Sequence, residues 1–295
     1  MKPKSKRAKR SGLKRHLRVI SALPKLRRVI ADWQTRQKTI ALVPTMGALH
    51  AGHFALVNSA KRHADRVIVS IFVNPSQFAP NEDLSAYPRT FAADLAALTK
   101  LDVEVAWAPS VATMYPDGFA TQIVPEGAAT AGLEDAFRPH FFAGVATVVA
   151  KLLIQCEPDV AMFGEKDYQQ LKVVGRLVRD LGLKTRIVGV PTKRETGGLA
   201  LSSRNRYLSA TEHTAAPILY RMLKQCAGEI AAGNPIDEAL ERGRAAIAGA
   251  GFALDYLEAR HAETLAPVAS AKHGPIRLLA AARIGKTRLI DNVGV

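Results

Sequence analysis

The chain divides into short apolar runs and longer segments with helical spacing of apolar residues, and the two kinds alternate. The apolar runs, many of them rich in β-branched residues, lie at 16–20, 39–43, 65–75, 102–109, 158–165 and 184–191. The helical segments lie at 21–37, 53–64, 91–101, 144–156 and 168–182. Strands that alternate with helices in this way are typical of an α/β fold with a doubly wound parallel sheet.

The pattern changes after about residue 209. Two helical segments, at 209–233 and 235–251, both end in glycine, as helices often do. The segments at 253–265 and 275–293 then have the pattern of strands or of strand–helix mixtures. This order predicts a second, smaller α+β unit that follows the parallel sheet.

Charge separates a third segment from the rest of the chain. The formal net charge is +15, but residues 1–28 hold 12 of the 41 basic residues and no acidic one, which leaves 29 basic and 26 acidic residues elsewhere. We predict a basic, disordered tail at 1–17, a main domain at 18–192 and the smaller α+β domain at 193–295. Because the body of the chain is close to neutral, we expect no specific nucleic-acid partner.

Neither secretion nor membrane insertion is expected. No apolar stretch approaches the ~18–20 residues that a membrane helix needs, and the basic tail lacks the apolar region of a secretory signal. The two cysteines, Cys156 and Cys226, have no zinc-site spacing, and a secreted protein of this size often carries more disulfide-capable pairs. We therefore expect a cytoplasmic protein.

The stretch PTMGALHAGH, residues 44–53, stands where a buried strand gives way to a helix. Ligands of open parallel sheets bind at the carboxyl ends of strands, and the helix that follows directs its free N–H groups at the same place. His50 and His53 project to one side of that helix, while Gly47 and Gly52 let the backbone approach an anion closely. The stretch predicts a phosphate site; a metal-binding pair and two surface histidines are the alternatives.

Two other stretches carry groups that suit an anion. FGEKDYQQL follows a strand, and its Lys166 is a point charge of the kind that binds phosphate. GGLALSSRNRYLS places Ser202, Ser203 and Arg204 in a loop that two glycines open. A solvated turn is the alternative for the first stretch, and a disordered interdomain linker is the alternative for the second.

Amides rather than charges follow the apolar run at 65–75. The stretch FVNPSQF contains Asn74 and Gln77 just past that strand. Amide groups suit a substrate with hydroxyl and carboxylate groups in an otherwise apolar pocket. Plain turn chemistry is the alternative, since Asn-Pro favours turns.

Together these stretches resemble one enzyme family. PTMGALHAGH resembles the nucleotide-binding signature of the pantothenate synthetases, which are ATP-dependent pantoate–β-alanine ligases of the nucleotidylyltransferase superfamily, marked by a His-x-Gly-His turn. Further matches, in the family's order, are SIFVNPSQF, YPRTFAADL, GVATVVAKL, FGEKDYQQL, GLALSSRNRYL and TRLIDN. The resemblance covers residues ~18–295 and implies a Rossmann-like fold of the nucleotidylyltransferase type.

The resemblance implies a reaction in two steps. Pantoate and ATP, accompanied by Mg²⁺, would give pantoyl adenylate and pyrophosphate. The amine of β-alanine would then attack the adenylate and release pantothenate and AMP. Neither step needs a protein nucleophile, because positioning and charge stabilisation carry the catalysis. A nucleotidyltransferase that moves AMP onto a phosphate acceptor is the alternative; the family also implies a homodimer and a C-terminal domain that acts as a lid.

The resemblance further implies roles for individual residues, group by group. The catalytic group is His50, His53, Lys166, Ser202, Ser203 and Arg204. The ATP contacts add Pro44, Thr45, Met46, Gly47, Gly52, Gly164, Glu165, Asp167, Val190 and Leu201. Pantoate and β-alanine would meet Met46, Asn74, Gln77 and Gln170. Asp94 matches an acidic family position near Mg²⁺.

The chain departs from the family pattern at a few of these positions. Ala93 stands before Asp94 where other members often carry a second acid. Phe141 occupies a position that is His in many members, and His140 lies one residue early. Leu201 replaces a common Met, and an apolar side chain keeps the packing role there.

Overall fold

The computed structural model describes residues 16–79, 82, 84–270, 272 and 274–295. The tail predicted at 1–17 falls mainly on residues 1–15, which lie outside the described residues. Within the described ranges, no helix is both long enough and apolar enough to cross a membrane.

Six strands in the described part of the chain form one parallel sheet. They are β1 (Arg18–Ile20), β2 (Ile40–Thr45), β3 (Arg66–Ile71), β4 (Val105–Trp107), β5 (Val160–Gly164) and β6 (Arg186–Val190). Their order across the sheet is β1-β4-β3-β2-β5-β6, and every pairing is parallel. The chain leaves β2 toward β3 on one side and later returns to β5 on the other. The carboxyl ends of β2 and β5 therefore flank the point where the strand order reverses, which is where open sheets bind ligands.

Helices cover both faces of this sheet. They are α1 (Leu23–Thr35), α2 (Ala51–His63), α3 (Phe91–Lys100), α4 (Val111–Met114), α5 (Glu134–Phe137), α6 (Phe141–Cys156) and α7 (Tyr168–Asp180). Successive side chains of a strand point to opposite faces, and Leu42 accordingly packs in a cluster with α1, α6 and α7, whereas Ala41 and Val43 pack with α2 and α3. The predicted doubly wound α/β fold is confirmed.

The remaining elements are three helices and three strands, which form a layer of helices packed on a second sheet. They are α8 (Ala210–Ala215), α9 (Ile218–Ala231), α10 (Ile236–Gly249), β7 (Ala253–His261), β8 (Ile276–Ile284) and β9 (Thr287–Gly294). The three strands form an antiparallel sheet in the order β7-β8-β9. One face of that sheet packs on α9 and α10, and the other packs on Leu133 and Tyr168 from the first part of the chain. The division into domains at 192 and 193 stays a prediction.

Two details of this second part differ from the expectation. The helix predicted at 209–233 is interrupted, because Pro217 has no N–H to donate to the preceding turn and separates α8 from α9. The mixed segment at 275–293 is a plain hairpin, whose turn is made by Gly285 at φ +53°. Glycine adopts that left-handed conformation without strain.

Candidate active site

A cavity of about 690 Å³ opens at the carboxyl ends of β2 and β5. Its walls come from the segments that follow β2, β3, β5 and β6 and from the second sheet. Most of the site residues predicted from the sequence line it: Pro44, Thr45, Met46, His50, Gly52, His53, Asn74, Gln77, Gly164, Lys166, Asp167, Gln170, Val190, Leu201, Ser202, Ser203 and Arg204. Three predicted residues do not line it: Gly47, Asp94 and Glu165.

The two histidines are fixed by the first turn of α2. His50 is the N-cap, and its Nδ1 accepts a hydrogen bond from the backbone N–H of Gly52 at 3.1 Å. The Nδ1 of His53 accepts from the backbone N–H of His50 at 3.3 Å, and the ring centroids lie 4.1 Å apart. Since a backbone N–H can only donate, both Nδ1 atoms are acceptors. Each neutral ring therefore carries its proton on Nε2.

The surroundings keep both rings neutral. Burial lowers the pKa of His50 to about 4, helped by the charges of Lys166 and Arg206. Burial also lowers the pKa of His53 to about 3, helped by His50 and Lys166. At neutral pH each ring is thus an Nε2–H donor held beside the N-terminus of α2, whose partial charge is positive. Two such donors can stabilise negative charge that develops on a phosphate.

Gly52 makes room for this arrangement. A Cβ atom at that position would lie 2.8 Å from Cε1 and 2.9 Å from Nδ1 of His50. Real Cβ atoms do not approach a ring so closely, so any larger residue displaces the imidazole. The sequence predicted that Gly52 would let an anion approach the backbone; in the structure, Gly52 also lets the His50 ring fold back over its own helix.

Asp94 supports the loop after β2 and does not face the cavity. Its Oδ2 accepts from the N–H of Ala48 at 3.0 Å, and its Oδ1 accepts from the N–H of Leu49 at 2.8 Å and from the hydroxyl of Thr90 at 3.1 Å. The side chain is buried. Both carboxylate oxygens thus shape the turn at Gly47, where φ is +83°, and contact of Asp94 with Mg²⁺ stays a prediction.

Asn74 is likewise committed to the protein. Its Nδ2 donates to Oε1 of Gln77 at 3.1 Å and to the carbonyl of Gly144 at 3.2 Å. Its Oδ1 accepts from the hydroxyls of Tyr115 at 2.8 Å and Ser76 at 2.9 Å. Both donors of the amide are used, so Asn74 holds the orientation of Gln77 rather than offering a free group to a ligand.

Gln77 and Gln170 present amides to the cavity from two different elements. Gln77 lies in a 3₁₀ turn, Pro75–Gln77, and its Nε2 donates to the sulfur of Met46 at 3.2 Å. Gln170 lies in the first turn of α7, and its amide has no hydrogen-bond partner among the described residues. The two amides suit hydroxyl or carboxylate groups of a small ligand.

The turn after β5 brings a cation into the site. Glu165–Asp167 form a 3₁₀ turn, and Nζ of Lys166 lies 3.5 Å from Oδ1 of Asp167. The carboxylate of Glu165 points elsewhere and pairs with Arg277 at 3.5 Å. This ion pair ties the turn to β8, and contact of Glu165 with ATP stays a prediction.

The loop after β6 forms another wall of the cavity. Ser202 caps a 3₁₀ turn, Ser203–Tyr207, by accepting from the N–H of Arg204 at 3.2 Å. The hydroxyl of Ser203 lies 3.2 Å from that of Tyr87. The loop is therefore an ordered wall with hydroxyl and guanidinium groups at the cavity, and not the disordered interdomain linker that was the alternative.

An aromatic side chain, Phe141, stands at the position where the resemblance led us to expect a histidine. Phe141 lines the cavity, whereas His140 precedes α6 and does not. The guanidinium of Arg138 lies 3.8 Å from the centroid of the Phe141 ring and forms a bidentate pair with Glu82 at 2.5 and 2.7 Å. The same guanidinium donates to the carbonyl of Gln77 at 3.1 Å, so it helps to hold the turn Pro75–Gln77.

Sequence reasoning missed several contributors. Lys193 and Tyr87 line the cavity, and Arg206 lies close enough to His50 to lower its pKa. Arg206 stands two residues after Arg204, and a basic pair at that spacing in the same loop was a signal in the sequence. Tyr87 carried none, because only the fold brings it to Ser203.

The acidic, histidine and cysteine side chains of the described residues do not form a dedicated metal site. Nowhere in the described ranges do three or more His, Cys, Asp or Glu side chains converge as metal ligands. Mg²⁺ is usually held by one or two carboxylates together with substrate phosphates. At the cavity, Asp167 is the candidate carboxylate on the turn after β5, and it is paired with Lys166.

Comparison with known proteins gives one consistent result. The sequence model of the family described as pantoate-beta-alanine ligase matches residues 18–294. A pantothenate synthetase from Rhodopseudomonas palustris is 60% identical over 277 residues, which cover 94% of this chain and 98% of that protein.

Solved structures agree with the sequence comparison. The crystal structure of pantothenate synthetase from Thermus thermophilus has a TM-score of 0.88 at 47% identity, and the match covers 94% of this chain and 98% of that one. A pantoate-beta-alanine ligase from Francisella tularensis, complexed with beta-gamma ATP and beta-alanine, has a TM-score of 0.79 at 37% identity, covering 95% and 98% of the two chains.

Proposed function

We infer the activity of this chain from one premise: it belongs to the pantoate–β-alanine ligase family. It is an ATP-dependent ligase that condenses pantoate with β-alanine to give pantothenate, AMP and pyrophosphate. The Francisella tularensis relative, which was solved with beta-gamma ATP and beta-alanine, supports ATP as a substrate.

One observation carries the proposed arrangement of substrates. Two neutral Nε2–H donors, on His50 and His53, share a cavity with Lys166 and with the loop of Ser202, Ser203 and Arg204. Donors on both sides of the strand-order reversal suit a triphosphate that lies across it. We place the β- and γ-phosphates of ATP between these groups, with the adenosine against Gly164 and Asp167.

Pantoate lies, in this proposal, at the end of the cavity that presents amides. Gln77 and Gln170 reach that end from separate elements and suit the hydroxyl and carboxylate groups of pantoate. The carboxylate of pantoate then attacks the α-phosphorus, and pyrophosphate leaves toward the two histidines. The amine of β-alanine next attacks the acyl carbon, and AMP leaves.

The chemistry of these residues is positioning and charge stabilisation. Neither histidine acts as a general base in its resting state, because the Nδ1 atoms are occupied and the Nε2 atoms carry protons. Their N–H groups, with the ammonium of Lys166 and the guanidinium of Arg204, stabilise the charge on the departing pyrophosphate. Asn74 and Asp94 act through the groups they hold.

We treat Mg²⁺ as part of the nucleotide substrate. The described part of the chain does not bring three carboxylate or imidazole ligands together, so the phosphate oxygens of ATP supply the ligands that Mg²⁺ prefers. When bound with ATP, Mg²⁺ would neutralise phosphate charge.

The alternative is transfer of AMP onto a phosphate acceptor. The described residues beyond β3 do not offer the free cations that such an acceptor would need. A phosphate acceptor calls for additional cations beyond β3, but Asn74 and Gln77 occupy that place. The nearby guanidinium of Arg138 is already paired with the carboxylate of Glu82.

A coupled assay tests the function. We expect pyrophosphate only when ATP and pantoate are both present, and AMP together with pantothenate once β-alanine is added. The assay follows pyrophosphate and AMP separately, with pantoate omitted and then restored. Formation of ADP in place of AMP would contradict the proposal.

We further propose that the protein is a homodimer in a cytoplasmic compartment. The family resemblance implies a homodimer, which light scattering during size-exclusion chromatography measures directly. Cys156 and Cys226 are both buried and unpaired, which supports the prediction of a reducing, cytoplasmic compartment.

A further inference from the structure

The motif TRLIDN, residues 287–292, lines the cavity from the second sheet. It forms most of β9, the edge strand of the second sheet. This strand packs against the turn Glu165–Asp167 and against the turn Ser203–Tyr207. These are the two turns that carry the proposed phosphate-binding groups.

The side chain of Asn292 holds the backbone of the first turn. Its Nδ2 donates to the carbonyls of Glu165 and Lys166, each at 2.9 Å. Its Oδ1 accepts from Nε of Arg277 at 2.7 Å, and Arg277 in turn lies over the ring of Tyr168 at 4.2 Å. The amide is buried, and both of its donors are spent on the two residues that precede Asp167.

Asp291 holds the second loop through one arginine. Its Oδ2 and Oδ1 accept from the two terminal nitrogens of Arg194 at 2.5 and 2.8 Å. Arg194 also donates to the carbonyl of Gly198 at 3.1 Å and lies 3.6 Å from the ring centroid of Tyr220. Bidentate pairs of this kind fix direction as well as distance.

Arg194 anchors the base of the loop that bears the serines. It pairs with Ala200 in an antiparallel bridge, and the N–H of Leu201 donates to the carbonyl of Lys193 at 2.9 Å. Ser202 follows directly. The position of Ser202 and its neighbours is therefore set by Arg194, and the position of Arg194 is set by Asp291.

We propose that Asp291 and Asn292 are a positioning pair that fixes the distance between Lys166 and the Ser202–Arg204 loop. The two residues are joined by one peptide bond, and the N–H of Asn292 also donates to Oδ1 of Asp291 at 2.7 Å. One short piece of a single strand thus aligns two phosphate-binding walls that come from distant parts of the sequence. This inference rests on the proposed roles of Lys166 and of that loop.

The test is pyrophosphate–ATP exchange that depends on pantoate, measured on the full chain. Asn292→Asp replaces two donors by a carboxylate that faces two carbonyl oxygens, and Asp291→Asn removes the charge that Arg194 clasps. We expect each to lower the kcat of exchange by about 10- to 100-fold, since small misplacements at a reacting centre cost that much. The KM for pantoate should stay within about threefold, because Asn74 and Arg138 hold Gln77 on a separate turn.

Matched controls make the same chemical changes at exposed positions of the second part. Asn234→Asp lies between α9 and α10, and Asp237→Asn lies in the first turn of α10. Both should leave kcat and KM unchanged. Thermal melting of every variant checks the fold, and Arg194→Lys and Arg277→Lys serve as milder variants, each expected to lower kcat by a smaller factor than the changes at Asp291 and Asn292.

A double-mutant cycle separates positioning from plain stability. In a Lys166→Ala background, Asn292→Asp should cost less than about twofold, because the group that it positions is gone. A full additional loss in that background, or a wild-type kcat for Asn292→Asp, would overturn the inference. Absence of pantoate-dependent exchange in the wild-type protein would instead refute the proposed function.

Discussion

At the scale of single residues, the site depends on where protons reside. The rings of His50 and His53 are donors because backbone N–H groups occupy both Nδ1 atoms. Burial and neighbouring cations then prevent a second proton from binding. The same two effects make the free enzyme ready for an anion without a change of ionisation.

We predict that both imidazoles stay neutral from about pH 8 to about pH 5. Their pKa values are lowered to about 4 and about 3, so the folded chain binds no proton there while the unfolded chain does. The free energy of unfolding should accordingly decrease as the pH falls below ~6.5. Nitrogen-15 NMR of the ligand-free protein should find the Nε2–H tautomer for both rings; a titration near the ordinary histidine pKa of ~6.5 would contradict the assignment.

Gly52→Ala tests how closely the His50 ring is fitted. The new Cβ would stand 2.8 Å from Cε1 of that ring, so the imidazole must turn away and its donor is misplaced. We expect the rate of pyrophosphate formation to fall about 100-fold. Gly228→Ala in α9 is the control, since no atom lies within 4 Å of its Cβ position; equal effects of the two changes would show that the fit is irrelevant.

The sequence could not predict hydrogen bonds and ion pairs between residues that are far apart along the chain. The resemblance matched Asp94 to an acidic family position near Mg²⁺, and it gave no sign that the carboxylate oxygens accept from the N–H groups of Ala48 and Leu49. The resemblance implied that Glu165 contacts ATP, and it gave no sign of the ion pair between Glu165 and Arg277. In both cases the partner lies far away along the chain, and only the fold brings the two together.

At the scale of elements, local patterns were sufficient for most of the parallel sheet. Strand β2 and helix α2 are visible in the sequence because burial on one or two faces leaves a periodic trace. The break between α8 and α9 shows the limit of periodicity, since the apolar spacing continues across Pro217 although the backbone hydrogen bonds cannot. The hairpin of β8 and β9 is ambiguous in the sequence because both strands carry apolar residues on both faces.

Helix α6 packs on the turn Pro75–Gln77 at Gly144. A Cβ atom on Gly144 would overlap the backbone oxygen of Ser76. We predict that Gly144→Ala displaces the turn Pro75–Gln77, raises the KM for pantoate about tenfold and lowers stability by ~1–3 kcal/mol, as overpacking does. Substrate kinetics and urea unfolding measure the two effects.

Gly175→Ala is the matched control for that change. Gly175 lies inside α7, and no atom lies within 4 Å of its Cβ position. Alanine there should leave KM unchanged and stabilise the helix by ~0.5–1 kcal/mol. If Gly144→Ala behaves in the same way, close packing of α6 on the turn does not position Gln77.

At the scale of the whole molecule, a buried ionic network joins helix α5 of the first part to the second sheet. Glu134 of α5 accepts from both terminal nitrogens of Arg288 at 2.7 and 2.9 Å and from the hydroxyl of Tyr256 at 2.8 Å. Nε of Arg288 donates to Asp255 at 2.6 Å. A rigid swing of the second part away from the first would have to break these contacts, so we expect closure over the site to involve loops.

Glu134→Gln should therefore destabilise the chain strongly. The change leaves the guanidinium of Arg288 with one carboxylate in place of two, and breaking a buried pair costs about 3–5 kcal/mol. Urea unfolding should show this loss, whereas Glu241→Gln, which breaks an exposed pair with Arg244, should cost less than ~0.5 kcal/mol. A loss of that small size at Glu134 would mean that the network does not join the two parts.

The hydrogen bonds from Asn292 to Glu165 and Lys166 also have a consequence for synthesis on the ribosome. Asn292 is made 126 residues after Lys166, which at ~5–20 residues per second is a delay on the order of ten seconds. During that time the parallel sheet can already form, since β6 ends at Val190. A nascent chain that stops before β9 is thus expected to be folded in its first part while its phosphate-binding walls are not yet aligned.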